Sequence, residues 1–121
     1  MERPLHILVA DDQPVLCQLL QEHLSDDWHT VETAVNGREA LEKFRAGHFD
    51  LVITDKAMPE MDGDQLAMAI KEIDPKQPII LLTGFGESAD DDHPSSSIDL
   101  VLSKPVSMLA LRQALSQVLA A

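Results

Sequence analysis

The chain has 121 residues, 45% of them hydrophobic, and a formal net charge of -12. That length suits one domain with a single core of helices on a sheet and is too short for two cores. Nine Lys and Arg stand against 21 Asp and Glu, too few and too scattered for a phosphate backbone or an anionic membrane face, so neither nucleic acid nor membrane is an expected partner. No apolar run approaches the ~20 residues that span a bilayer, and Met1-Glu2-Arg3-Pro4 lacks the apolar stretch and small-residue cleavage site of a secretory signal. A cytoplasmic location is expected. Cys17 is the only cysteine, which excludes an internal disulfide and a thiolate metal cage; it reads as a small buried side chain.

Taken in chain order, the hydrophobic period keeps switching. Leu5 to Ala10 is nearly all apolar, as in a strand covered on both faces. Pro14 to Leu24 places Val15, Leu16, Leu19, Leu20 and Leu24 at helical spacing, with Pro14 tolerated in the first turn. Thr30 to Ala34 is a β-branched strand, broken by Asn36-Gly37. Arg38 to Ala46 is a helix with Ala40, Leu41 and Phe44 inward, ended by Gly47. Leu51 to Thr54 is a strand, and Gly63 to Ile73 a helix carrying Leu66, Ile70 and Ile73 before Pro75 stops it. Ile79 to Thr83 and Leu100 to Leu102 are strands, and Ser107 to Leu119 closes with a helix carrying Leu111, Leu115 and Val118. Five strands alternating with helices predict a single α/β domain over residues 1–121, a doubly wound parallel sheet with helices on both faces.

One stretch breaks the rhythm. "GFGESADDDHPSSS", between Thr83 and Ile98, offers little but Ala89 to a core, and Pro94 with its serines would end a helix within a turn. A short or disordered fourth helix is expected there, with Asp90, Asp91 and Asp92 in a solvated loop.

In an open parallel sheet the carboxyl ends of the strands share one edge, where ligands bind. Here those ends carry Asp11-Asp12, Asp55, Thr83 and Lys104-Pro105. Two carboxylates ~4 Å apart repel by about 4 kcal/mol at an effective dielectric near 20, and one lysine cannot neutralise three. A divalent cation is required, and oxygen ligands without His or Cys favour Mg²⁺, with Mn²⁺ as a substitute. A carboxylate beside that ion, with Lys and Thr donors around it, can attack phosphorus to give an aspartyl phosphate. Each residue also has a plainer reading. Asp11 and Asp12 could cap the following helix, Thr83 could be an ordinary strand end, and Lys104 a solvated charge. His6, His23, His29, His48 and His93 share no ligand spacing and are read as structural or exposed. Trp28 is expected at the opposite, amino-terminal edge.

"ILVADDQP", "DLVITDKAMPEMDG", "IILLTG" and "LVLSKP", in this order and across nearly the whole chain, resemble the receiver domain of two-component response regulators. The resemblance implies a CheY-like, flavodoxin-like sheet of order 2-1-3-4-5. It implies Asp55 as phosphoacceptor for a phosphoryl group from a phosphohistidine, with Asp12 a direct Mg²⁺ ligand, Asp11 acting partly through water, and the Ala57 carbonyl completing the protein's share. It further implies that Lys104 pairs with the acceptor, that the Lys104-Pro105 bond is cis, that Thr83 swings to a phosphoryl oxygen, and that Met58-Pro59 and Asp62-Gly63 form the turn after the acceptor. Such a domain catalyses its own phosphorylation and dephosphorylation and turns over no separate substrate. Its partner would be a sensor histidine kinase or histidine phosphotransfer domain, docking on the first helix at Gln13, Pro14, Val15 and Gln18.

Some positions depart from that pattern. Val101 stands three residues before the lysine, where receivers commonly carry Tyr or Phe, so the usual coupling from Thr83 to the outer face is not expected. Ala57 and Phe85 flank the line of water attack and neither orients a water, which predicts slow loss of phosphate. An aspartate-based phosphatase would need a carboxylate where Ala57 stands. A flavodoxin would need a Ser/Thr-rich loop in place of Asp11-Asp12-Gln13-Pro14. The alternative to a phosphoacceptor is an interaction module that keeps the fold and ignores phosphate. With the last helix ending near Ala121, no output domain is expected within this stretch.

Overall fold

The structure, a computed structural model, describes residues 4–84 and 97–119. Its elements run β1 (His6–Ala10), α1 (Pro14–Asp26), β2 (Thr30–Ala34), α2 (Gly37–Ala46), β3 (Leu51–Asp55), α3 (Gly63–Ile73), β4 (Ile79–Thr83), β5 (Leu100–Ser103) and α4 (Met108–Leu119). All strand pairs are parallel and the sheet order is β2-β1-β3-β4-β5. This is the doubly wound arrangement expected from the alternating pattern. The expected fourth helix and the Asp90-Asp91-Asp92 run, with Phe85 and His93, lie outside the described residues.

Strand residues alternate between two cores because successive side chains point to opposite faces. Leu8, Ala10, Val52, Ile79 and Leu81 meet Ala40, Leu41 and Phe44 of α2 and Leu66, Ala67 and Ile70 of α3. On the other face Ile7, Val9, Leu51, Ile53, Ile80 and Leu82 meet Cys17, Leu20 and Leu24 of α1 and Leu111, Ala114 and Leu115 of α4. Every residue of β3 and β4 is buried, which is why both read as continuous apolar runs.

Several boundaries move for local reasons. The α2 helix begins at Gly37, not Arg38, because Asn36 Oδ1 caps it, accepting from Glu39 N–H at 2.7 Å. A Cβ on Gly37 would stand 2.8 Å from the Met61 carbonyl oxygen, so only glycine lets α2 approach the β3–α3 loop this closely. Ser107 precedes α4 as its cap, its Oγ accepting from Ala110 N–H at 3.0 Å. The first helix runs on to Asp26. The apolar stripes are narrower than their spacing suggests: Val15 is 79% exposed, Leu19 46% and Ile73 47%. Ala67 occupies the core position next to Ile70 instead.

Candidate functional site

Strand β3 ends on Asp55 itself, and the chain then leaves the sheet under close constraint. Lys56 N–H donates to the Leu82 carbonyl at 2.9 Å, and Gly63 N–H donates back to the Lys56 carbonyl at 2.9 Å. A Cβ on Gly63 would sit 2.3 Å from the Asp55 carbonyl oxygen and 2.7 Å from Leu81 Cδ1. Glycine at this position is therefore a condition for folding the loop back against the strand end. Asp62 then caps α3 in a reciprocal pair with Gln65, 2.8 Å and 3.0 Å, the capping box that opens a helix. Between them lie Ala57 and Pro59, both exposed, and Met58, which is buried.

Asp11 is fully buried and held from several sides. Its N–H donates to the Ala34 carbonyl at 3.0 Å, its Oδ1 accepts from Gln13 N–H at 2.9 Å, and its carbonyl accepts from the Cys17 thiol at 3.3 Å. The helix cap is Gln13, with extended backbone and no side-chain cap bond. The reading of Asp11 and Asp12 as caps of α1 is thus corrected: one orders the turn before the helix and the other is exposed beside the pocket. Burial, then the charge of Asp11, pushes the Cys17 thiol up to about 11, so it stays a neutral, inert donor.

Asp11, Asp12 and Asp55 each offer a carboxylate oxygen within 4.8 Å of the others. Lys104, whose side chain is 20% exposed, places Nζ 2.9 Å from Asp55 Oδ1 and 3.2 Å from Asp11 Oδ2. Burial works against its charge, but hydrogen bonding to Asp55 and the charges of Asp11 and Asp55 outweigh it and hold the ammonium above its ordinary value. The peptide bond from Lys104 to Pro105 is cis. Thr83 is buried at the end of β4, with Oγ1 3.4 Å from the Leu102 carbonyl. Val101 is opposite Leu81 in the β4–β5 register and packs on the α2/α3 core. Three carboxylates against one ammonium leave an excess of two negative charges, the charge a divalent cation would balance.

Gln13, Pro14, Val15 and Gln18 are all exposed on the first turns of α1. Beside them runs a groove of about 400 Å³ between α1 and the β5–α4 loop, lined by Leu16, Leu19, Leu20, Pro105, Val106 and Met108 among others, with Lys104 also in its wall. Spacing alone did not reveal this groove, because Leu19 reads as core until the position of Pro105 and Val106 is known. Trp28 lies in the α1–β2 turn at the amino-terminal edge, away from the carboxylates, and is 79% exposed.

A five-stranded parallel sheet with this acidic cluster at its carboxyl edge defines a class of signalling domain. Residues 7–116 match the response regulator receiver domain family, and the chain belongs to that family. It is 38% identical over 118 residues to the transcriptional regulatory protein GlrR of Escherichia coli, covering 97% of this chain and 27% of that protein. It is 36% identical over 109 residues to the autoinducer 1 sensor kinase/phosphatase LuxN of Vibrio campbellii, covering 90% of this chain and 13% of that protein. The chain thus spans about a quarter or less of the length of these two relatives. Among solved structures it resembles the response regulator protein TrrA of Thermotoga maritima in complex with Mg²⁺-BeF, with TM-score 0.85, 36% identity, and coverage of 93% of this chain and 97% of that one. It also resembles the chemotaxis protein CheY4 of Vibrio cholerae, with TM-score 0.88, 29% identity, and coverage of 96% and 99%. No helix among the described residues is long and apolar enough to cross a membrane.

Proposed function

We propose that this receiver domain accepts a phosphoryl group on Asp55 from a phosphohistidine of a sensor histidine kinase or histidine phosphotransfer domain. The observation that carries the reading is the convergence of Asp11, Asp12 and Asp55 within 4.8 Å of one another, with Lys104 Nζ 2.9 Å from Asp55. Asp11, Asp12 and Asp55 would hold Mg²⁺, with the Ala57 carbonyl as a further oxygen ligand; Mn²⁺ would serve in its place. When bound, the ion supplies charge neutralisation for the equatorial phosphoryl oxygens. The fit rests on the donor set: hard carboxylate oxygens with an excess of negative charge.

The chain's own residues do the rest. An Asp55 oxygen attacks phosphorus as the bond to the partner's imidazole nitrogen breaks, and the imidazole leaves with the electron pair. Lys104 exchanges part of its contact with Asp55 for a phosphoryl oxygen. Thr83 turns its hydroxyl from the long contact with Leu102 toward another phosphoryl oxygen. Gly63 keeps the Asp55 carbonyl in place through this exchange. The donor would dock on α1 at Gln13, Pro14, Val15 and Gln18, where exposed apolar surface lies next to the pocket. With Val101 in place of a ring, that position of β5 offers no ring to swing when Thr83 moves.

Incubation with acetyl phosphate and Mg²⁺, followed by intact-protein mass spectrometry, tests the reading. One added phosphoryl group is expected in the wild type and none in Asp55→Asn. An unmodified wild type, or equal modification of the variant, would favour the phosphate-blind interaction module.

A further inference from the structure

At the amino-terminal edge of the sheet, α1 closes in a turn in which Asp27 N–H donates to the Leu24 carbonyl (3.1 Å), Trp28 N–H to Ser25 (2.9 Å) and His29 N–H to Leu24 (3.2 Å). Trp28 takes the left-handed position of this turn, with φ 73°. Glycine is the usual residue there, because a Cβ crowds the neighbouring carbonyl. The indole gains no burial in exchange, being 79% exposed. Neither the backbone nor the core accounts for a tryptophan at this position.

Next to it lies a groove of about 350 Å³ with Leu24 and Leu115 at its buried base and Asp26, Trp28, Arg112 and Ser116 among its walls. The one arginine in that wall is already neutralised: Arg112 Nε and Nη2 donate to the two Asp27 oxygens at 2.8 and 2.9 Å. Asp26 is exposed and forms no ion pair among the described residues. An aromatic face and an uncompensated carboxylate therefore line one cleft, on a chain whose net charge is -12. Both attract the same ligand, a cation. An anionic segment would be repelled, and a purely apolar one would strip water from Asp26 without replacing it.

We propose that this groove binds a Lys or Arg side chain from a basic segment of a partner protein, with the cation over the Trp28 indole and its charge facing Asp26. The site is on the opposite edge of the sheet from Asp55.

Trp28 is the sole tryptophan, so intrinsic emission reports this groove alone. The probe is an acetylated, amidated pentapeptide of alternating glycine and arginine, titrated with Mg²⁺ present to occupy the acidic pocket. A saturable change in emission is expected, and calorimetry should show affinity falling about threefold or more in both Trp28→Gly and Asp26→Asn. Because glycine suits the left-handed turn, Trp28→Gly should melt no lower than the wild type, which separates lost binding from lost folding. The absence of a saturable emission change, or unchanged affinity in either variant, overturns the proposal and assigns any attraction to the acidic surface at large.

Discussion

Lys104 Nζ sits 2.9 Å from Asp55 Oδ1 and 3.2 Å from Asp11 Oδ2, so a single ammonium after β5 ties the ends of β1 and β3 together. Replacing it with methionine removes the counterion of two buried carboxylates. Breaking a fully buried pair costs about 3–5 kcal/mol, and partial exposure of Lys104 reduces the expected loss to about 2 kcal/mol. Urea denaturation without Mg²⁺ should show that loss, and Mg²⁺ should recover much of it. Because the folded ammonium titrates above its ordinary value of 10.5, its contribution is complete below that pH and disappears as pH rises through the higher folded value. The gap between wild type and Lys104→Met should therefore be constant near neutrality and close only in strong alkali.

Gly63→Ala addresses the loop rather than the charges. Its Cβ would meet the Asp55 carbonyl oxygen at 2.3 Å, a backbone contact that cannot move aside cheaply. A loss of about 2–3 kcal/mol in urea denaturation is expected, together with slower phosphoryl uptake because the strand end itself must shift. Normal uptake at wild-type stability would mean that the loop does not position Asp55.

The Asp27–Arg112 pair predicts an acid limb of stability. Hydrogen bonding to Arg112 holds the Asp27 carboxyl below its usual 3.8. A depressed folded value contributes stability above the unfolded value, which is lost as pH falls through the folded one. Thermal melts of Asp27→Asn should fall below wild type at neutral pH and converge with it below the usual carboxylate range.

Cys17 should be silent toward thiol reagents in the folded state. It is buried, and its thiol is pushed up to about 11. At pH 8 its labelling rate should track global unfolding across a urea series. Fast labelling in native buffer would show that the Asp11–Cys17 contact opens locally.

The sheet was legible because β3 and β4 are buried on both faces, leaving unbroken apolar runs, and because each polar interruption falls at a strand's carboxyl end. Asp55, Asp11 and Lys104 could be placed together on that ground alone. Helix ends were less legible where a cap decides them: Asn36 read as a break and turned out to cap α2, and Ser107 read as the first residue of the last helix and turned out to be the cap before α4. Val15 and Leu19 follow a helical period yet face outward, since periodicity gives the direction of a side chain around its own helix but not what stands opposite. Trp28 could be placed at the amino-terminal edge from the sequence, but its left-handed φ of 73° could not be read there.

Carboxylates from the ends of separate strands would form one divalent-cation site around Asp55. Calorimetric titration of the wild type with Mg²⁺, beside Asp12→Asn and Asp55→Asn, tests it most directly. A single saturable site in the wild type, weakened in both variants, is predicted. A wild type without binding heat, or variants that bind as tightly as the wild type, would contradict it.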